Sequence, residues 1–290
     1  MLSIQNLSYG YSKKEKVLHN LAFDLEEGVT LLIGENGSGK STLMKILTGS
    51  IPTKNKIFMD GKELDDGLRR KKFSYLPQEF SIYPSLKVKD VLEFVARAKG
   101  ISQGNCKDEI QRVARRTNVE RFLNKKFKDC SLGTQRRIGI ATALIGNPEV
   151  VILDEPTAGV DPKERTRFYE IIGELFEGKI VLISTHILDD MDILANQVLM
   201  LSNGRMTFDG SFRHFRHSLD GHLYEWVGEE MTPEEEALFR QAVVVKSKNT
   251  VEGRIRRFAI GENLPVPTSF REVTPTLEDL WEYYLKVHHG

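Results

Sequence analysis

The sequence predicts an α/β protein built on a mainly parallel sheet, and three observations carry this. Short apolar runs at 30–33, 150–153 and 179–184 alternate with segments of helical period, as expected for strands buried on both faces beneath helices. The first run leads into Gly34-Glu-Asn-Gly-Ser-Gly-Lys-Ser-Thr42, followed by the helix-like segment 43–48. Gly34, Gln78, Asp154, Glu155 and His186 each fall just past the end of an apolar run. In open α/β sheets that is where ligand groups gather, so one shared site is expected.

The segment 34–42 fits the G-x-x-x-x-G-K-[ST] phosphate-binding pattern, with Gly34, Gly39, Lys40 and Ser41 in register. Its glycines let the backbone turn several N–H groups inward onto phosphate oxygens. The N-terminus of the following helix adds a positive dipole end. Lys40 is placed to reach the β- and γ-phosphates, and the Ser41 hydroxyl to sit on Mg2+.

Length and composition narrow the class. A chain of 290 residues with 40% hydrophobic residues can bury a sizeable core, and suggests one large domain and a smaller one. Formal net charge is zero, which argues against non-specific nucleic-acid binding as the main activity. Two cysteines, Cys106 and Cys130, cannot form a disulfide framework and have no zinc-type neighbours, so a reduced, cytosolic setting is expected. The start lacks a secretory pattern, and no run approaches the ~20 apolar residues that span a bilayer. Action at a membrane therefore needs a partner.

In chain order, 2–9 and 17–25 read as strands joined by a Lys-rich turn. Tyr9 and Tyr11 follow; either is placed to stack on adenine or simply to sit on an edge strand. A strand and turn at 56–61 precede the basic run 69–72, read as a solvated loop or helix end. A strand at 73–77 is ended by Pro77, and Gln78 follows at its tip. Helical period recurs at 87–99, 107–118 and 133–146, the last broken by Asn147-Pro148. The 150–153 strand ends in Asp154-Glu155-Pro156. Asp161-Pro162 opens a helix to about 177, with Asp161 as its cap. After the 179–184 strand come a helix at 187–195 and strands at 197–202 and 205–209. Beyond 210 prolines return, Thr232-Pro-Glu-Glu235 reads as a capping box, and Thr274-Pro275 opens a last helix. Its stripe of Leu277, Leu280, Trp281, Tyr284 and Leu285 packs on its own small domain or meets a partner.

Asp154 at the end of a buried strand is where a carboxylate that orders Mg2+ and its waters is expected, with Glu155 beside it as a candidate base for the attacking water. His186 holds either the γ-phosphate or the catalytic water, or is structural. Gln78 is placed to link Mg2+ or water to the neighbouring helical region. Ser131 caps the 133–146 helix, whose first-turn N–H groups form an anion site.

Taken in order, the phosphate loop, Gln78, the Ser131-x-Gly133 helix start, Asp154-Glu155-Pro156, Ala158-Gly-Val-Asp161 and Ser184-Thr-His186 resemble the ATP-binding cassette family over about residues 1–210. The resemblance implies a P-loop NTPase (RecA-like) core with an N-terminal antiparallel β subdomain, a helical subdomain at about 79–146, and a small α+β C-terminal domain at 211–290. It implies ATP and Mg2+ as ligands. Tyr11 then matches the adenine-stacking aromatic; Gly34 to Thr42, including Asn36, Gly37 and Ser38, match Walker A; Gln78 matches the Q-loop and Asp154 the Walker B aspartate. Glu155 matches the catalytic glutamate, Asp161 the D-loop aspartate and His186 the switch histidine. Ser41, Gln78 and Asp154 are the implied metal ligands. Two cassettes in this family pair head to tail, so Ser131 and Gly133 of one close on the γ-phosphate held by Lys40 of the other. The usual signature Leu-Ser-Gly-Gly-Gln is Cys130-Ser-Leu-Gly-Thr134 here, keeping the phosphate-facing Ser and second Gly.

The Ser-Leu-Gly signature, the short span from Lys40 to Ser131 and the ending Thr276-Leu-Glu-Asp279 resemble bacterial ABC-2 type drug and peptide-antibiotic exporters. The implied function is the ATPase subunit of an exporter of a drug, peptide or lipid-like cargo. Its implied partners are a second cassette, identical or sibling, and a separate membrane-spanning permease. The cassette would sit in the cytoplasm, peripheral on the inner face of the membrane. A groove near Gln78, with Phe80, Tyr83 and Leu86, is the candidate docking place. The alternative is a soluble cassette ATPase of translation or DNA maintenance. One Walker A, and only 90 residues between Lys40 and Ser131 without sustained heptads, weigh against it. No nucleic-acid partner is expected.

Overall fold

The computed structural model describes residues 1–12, 15–54, 56–80, 84–185, 194–250, 253–261, 264 and 266–287. His186, Tyr83, most of the expected 187–195 helix and the centre of the Lys-rich turn lie outside them. The chain divides into two compact units, Met1–Met206 and Thr207–Gly290.

The first unit runs β1 (Leu2–Tyr9), β2 (Leu18–Leu25), β3 (Gly28–Ile33), α1 (Lys40–Leu47), β4 (Ile57–Met59), β5 (Lys62–Glu63), α2 (Asp66–Lys72) and β6 (Phe73–Leu76). Then follow α3 (Val88–Ala98), α4 (Gln103–Arg116), α5 (Leu132–Leu144), β7 (Val150–Asp154), α6 (Pro162–Leu175), β8 (Ile180–Ser184) and β9 (Ala195–Ser202). In β10 (Arg205–Ser211) the chain passes into the second unit. Two sheets form. One has the order β2-β1-β4-β5 and is antiparallel throughout. The other has the order β10-β9-β3-β8-β7-β6, and its β9, β3, β8, β7 and β6 run parallel.

Every residue of β7 and β8 is buried, which is why their sequences are continuous apolar runs rather than alternating ones. Val150, Ile152, Ile180, Leu182, Leu199 and Leu201 join a core with Leu43, Met44 and Leu47 of α1 and with Leu2, Ile4, Leu21 and Phe23 of the antiparallel sheet. The α1 helix is thereby gripped on its apolar face, which fixes the loop that precedes it.

Helices α3, α4 and α5 pack on one another, with α5 against β6. Lys99, at the C-cap of α3, donates from Nζ to Phe73 O (3.1 Å) and Ser74 Oγ (3.3 Å) at the start of β6. Burial lowers its pKa to about 8, against an opposing pull from Glu109. The unfolded chain keeps this proton to about pH 10.4. Between those values the unfolded state holds more protons, so stability rises with pH; below about pH 8 the full cost of burying the cation is present. Replacing Lys99 by Met should therefore change stability differently at pH 7.5 and pH 9.5. Relative to wild type, the variant should look better at the lower pH, as read by urea unfolding. A pH-independent difference would refute this account.

Several boundaries differ from expectation. Helix α5 ends at Leu144, two residues early, because Gly146 (φ +77°) and Asn147 (φ +47°) turn the chain in left-handed conformation. Helix α4 starts at Gln103, with Ser102 at its N-cap position, four residues before the expected start. The basic run 69–72 closes α2, but Arg69 is buried, with Nη1 donating to Ile46 O (3.4 Å) near the end of α1. The carbonyls at a helix C-terminus attract a cation, here as a second donor to Ile46 O beside Gly49 N (3.0 Å), and that overrides solvation for this one residue of the run.

The second unit continues with α7 (Phe212–His217), β11 (Leu223–Gly228), α8 (Pro233–Phe239), β12 (Val243–Thr250), β13 (Gly253–Ala259), β14 (Arg271–Glu272) and α9 (Leu277–Val287). Its antiparallel sheet has the order β12-β13-β11-β14. Trp226, Leu238, Phe258, Ile260 and Phe270 form a core. The expected capping box at Thr232 and Glu235 is present. Helix α9 begins later than Thr274-Pro275, because Thr276 and Asp279 make reciprocal cap bonds (Asp279 N to Thr276 Oγ1, 3.2 Å; Thr276 N to Asp279 Oδ2, 3.0 Å). Leu277, Leu280 and Leu285 are buried, and the α9 stripe packs on β12 and α7 within its own unit.

Candidate functional site: a phosphate loop and two carboxylates at the strand ends

Gly34 follows β3, Gln78 lies two residues past β6, and Asp154 ends β7 with Glu155 next. Because these strands are parallel, all four reach the same edge of the sheet. The register makes this explicit: Leu76 pairs with Leu153, and Asp154 with Ser184.

The loop is shaped to receive an anion. Gly39, at the N-cap of α1, has φ +107° and supplies no side-chain cap. The first backbone bond of α1 is Leu43 N to Gly39 O (2.9 Å), so the amides of Lys40, Ser41 and Thr42 lie ahead of the helical ladder. A Cβ on Gly34 would lie 2.3 Å from Leu201 O, so only glycine fits there. Among the described residues Ser38 Oγ is buried without a hydrogen-bond partner, an orphan that a phosphate oxygen would satisfy. Asn36 and Gly37 are exposed on the rim. Lys40, 7% exposed, folds back with Nζ on Gly34 O (2.5 Å) and Glu35 O (2.9 Å). Burial lowers its pKa, while Glu155, Asp154 and Glu35 pull it upward. Tyr11 is 65% exposed and lies beside the loop, its hydroxyl 3.2 Å from Thr42 Oγ1 and its ring edge-on to Tyr9.

Asp154 is held on both oxygens. Ser184 Oγ donates to Oδ1 (2.6 Å) and Tyr75 OH to Oδ2 (3.2 Å). Ser184 Oγ also accepts from Glu155 N (2.8 Å), so one hydroxyl sets both acids. Burial, reinforced by Asp154, pushes the Tyr75 phenol far above its usual range, which keeps it a proton donor to the carboxylate. Glu155 adopts φ +43°, a conformation non-glycine residues seldom take. Gln78 Nε2 donates to Glu155 Oε2 (3.0 Å). Ser41, Gln78 and Asp154 offer oxygen donors of the hard type Mg2+ takes. Among the described residues there is no cluster of three His, Cys, Asp or Glu.

Ser131 sits at the N-cap of α5, its Oγ accepting from Thr134 N (3.3 Å). It opens with Gly133, Arg121, Lys125, Arg137 and Asp161 on a cavity of about 540 Å3. Asp161 is exposed immediately before α6. Tyr75, Ser184 and Arg136 were not singled out from the sequence. Each acts through partners 22 to 79 positions away, which no local pattern in the sequence reveals.

A family model described as ABC transporter matches residues 18–158. YxlF of Bacillus subtilis (strain 168), an uncharacterized ABC transporter ATP-binding protein, is 30% identical over the whole of both chains. The chain belongs to the ABC transporter ATP-binding family. It is thus an ATP-binding, ATP-hydrolysing cassette of a transport family with the P-loop NTPase fold. The human retinal-specific phospholipid-transporting ATPase ABCA4 is 31% identical over 71% of this chain, but the chain spans only 9% of that protein. A dimeric, post-hydrolysis structure of the cassette MJ0796 bound to ADP and Pi superposes with a TM-score of 0.65 at 26% identity, covering 73% of this chain and 99% of that one. Among the described residues, no helix is long and apolar enough to cross a membrane.

Proposed function

We propose that this cassette is the ATPase subunit of a bacterial exporter, working as a head-to-tail pair on a separate membrane-spanning permease. The carrying observation is the convergence of the phosphate loop, Gln78, Asp154 and Glu155 on one edge of the parallel sheet. In this reading residues 1–210 are the nucleotide-binding domain, with 79–146 as its helical part, and 211–290 are an accessory domain. Gly34 to Thr42 hold the triphosphate, Lys40 at its β- and γ-phosphates, and Tyr11 stacks on adenine. Ser41, Asp154 and Gln78 hold Mg2+, which when bound stabilises charge on the phosphoryl oxygens. Glu155 takes the proton of the attacking water, and His186 contacts the γ-phosphate. Ser131, Gly133 and Asp161 complete the site of the opposite cassette.

Export of a drug or peptide is supported by the exporter-like signature, and a lipid-like cargo by likeness to a phospholipid-transporting ATPase. The permease docks at the groove of about 270 Å3 between Gln78, Phe80, Leu132 and Gln135, which keeps the cassette at the cytoplasmic face. The test is a pull-down from detergent-solubilised membranes with ATP-loaded Glu155→Gln protein, read by mass spectrometry. Recovery of a polytopic protein lacking its own cassette is expected. Recovery of ribosomal or DNA-maintenance proteins without a membrane protein would overturn the transport assignment and leave the ATPase chemistry intact.

A further inference from the structure

Arg136 lies on α5, five residues after Ser131. Its Nη1 donates to Gln78 O (2.7 Å) and its Nη2 to Ala158 O (3.2 Å). Among the described residues its Nε is buried without an acceptor and no carboxylate pairs with it. A guanidinium fork usually finds a carboxylate, and a desolvated cation without one is costly. Here both prongs go to main-chain carbonyls of segments that meet at Glu155.

The two contacts close a ring. On one side, Gln78, whose carbonyl is held by Arg136, donates through Nε2 to Glu155 Oε2 (3.0 Å). On the other, Ala158 N donates to Glu155 O (3.1 Å), forming the turn whose last carbonyl Arg136 grips. Glu155 has φ +43°. Such a conformation persists only where its surroundings over-determine it, and it concentrates at functional sites. Ser184 fixes the Glu155 amide from the sheet side. Arg136 reaches both flanking segments from the helical side.

We propose that Arg136 is a positioning residue for Glu155, holding Gln78 and the 155–158 turn so that the glutamate keeps its left-handed backbone and its side-chain direction. This rests on the assignment of Glu155 as the base. Losing the fork leaves the phosphate loop untouched and lets the carboxylate drift, a displacement that costs turnover rather than binding. In Arg136→Ala, kcat should fall about ten- to a hundredfold with KM for ATP changed less than about threefold. ATP affinity of the Arg136→Ala/Glu155→Gln double variant should match that of Glu155→Gln alone. Arg136 also lines the open cavity beside Gln78 and Leu132, so added guanidinium ion can enter the vacated space. It should restore a measurable part of kcat to Arg136→Ala and none to Arg136→Lys, which keeps the charge but lacks the fork.

A kcat of Arg136→Ala within twofold of wild type would overturn the proposal, as would a raised KM at unchanged kcat, or recovery by ammonium as good as by guanidinium. Should Arg136→Ala fail to fold, Arg136→Lys carries the test: reduced kcat with an unshifted melting midpoint supports the proposal, and wild-type kcat refutes it. Glu155→Gln run in parallel separates the two readings. If it turns over normally, the base assignment has failed; if it is inactive while Arg136→Ala is normal, only the positioning role has.

Discussion

Glu155→Gln should bind ATP and pair into dimers, yet turn over about a hundred- to ten-thousandfold more slowly than wild type, the range expected when a general base is removed. The substitution is nearly isosteric. The amide of residue 155 keeps its bond to Ser184 Oγ, and the bond of Ala158 N to the residue-155 carbonyl is main-chain and survives. What changes is one property: an amide oxygen cannot take the proton of an attacking water. The phosphate loop lies on different elements, β3 and α1, so affinity is spared. Steady-state phosphate release gives the rate, and size-exclusion chromatography with ATP gives the dimer. Turnover near wild type would remove Glu155 as the base. Loss of ATP binding would mean that its carboxylate shapes the nucleotide site itself.

The features legible in the sequence are those written locally. A strand buried on both faces needs apolar positions, so 150–153 and 180–183 announced themselves, and the first polar residue after each, Asp154 and Ser184, marked the sheet edge. The phosphate loop is likewise continuous in sequence, and its neighbours β3 and α1 follow from it. The cap of α5 at Ser131 was readable for the same reason.

What was not legible depends on packing between distant segments. Tyr75 reads as one more aromatic strand residue until β6 pairs with β7 and brings its hydroxyl to Asp154. Ser184 reads as a strand end until β8 sets it opposite Asp154. Arg136 is one of two consecutive arginines on α5, and nothing in its local spacing says that it grips carbonyls 58 and 22 positions away. Arg69 shows the converse error: composition assigns a basic run to solvent, but the carbonyl of Ile46 recruits one member inward.

Lys40→Met should weaken ATP binding about ten- to a hundredfold while leaving the fold as stable as wild type or more so. The two effects have separate origins. Lys40 is 7% exposed, and burial lowers its pKa despite the pull of Glu155, Asp154 and Glu35, so the folded chain carries the cost of a desolvated ammonium. Its bonds to Gly34 O and Glu35 O offset part of that cost. Methionine keeps the stem and removes the charge, and the loop's shape persists because Gly39 and the α1 packing set it. A phosphate oxygen is a stronger partner than either carbonyl, and a charge-assisted bond contributes about 1.5–3 kcal/mol, which is the expected loss in affinity. Calorimetric titration with ATP and the urea midpoint read the two quantities independently. The pH dependence separates them further. Because the unliganded pKa is lowered and bound phosphate favours the ammonium, wild-type affinity falls as pH rises through that lowered pKa, and the methionine variant should show no such fall. Affinity within twofold of wild type would mean that Lys40 stays on its two carbonyls when nucleotide binds. A drop in stability alongside affinity would mean that those carbonyls, rather than the phosphates, are what the lysine serves.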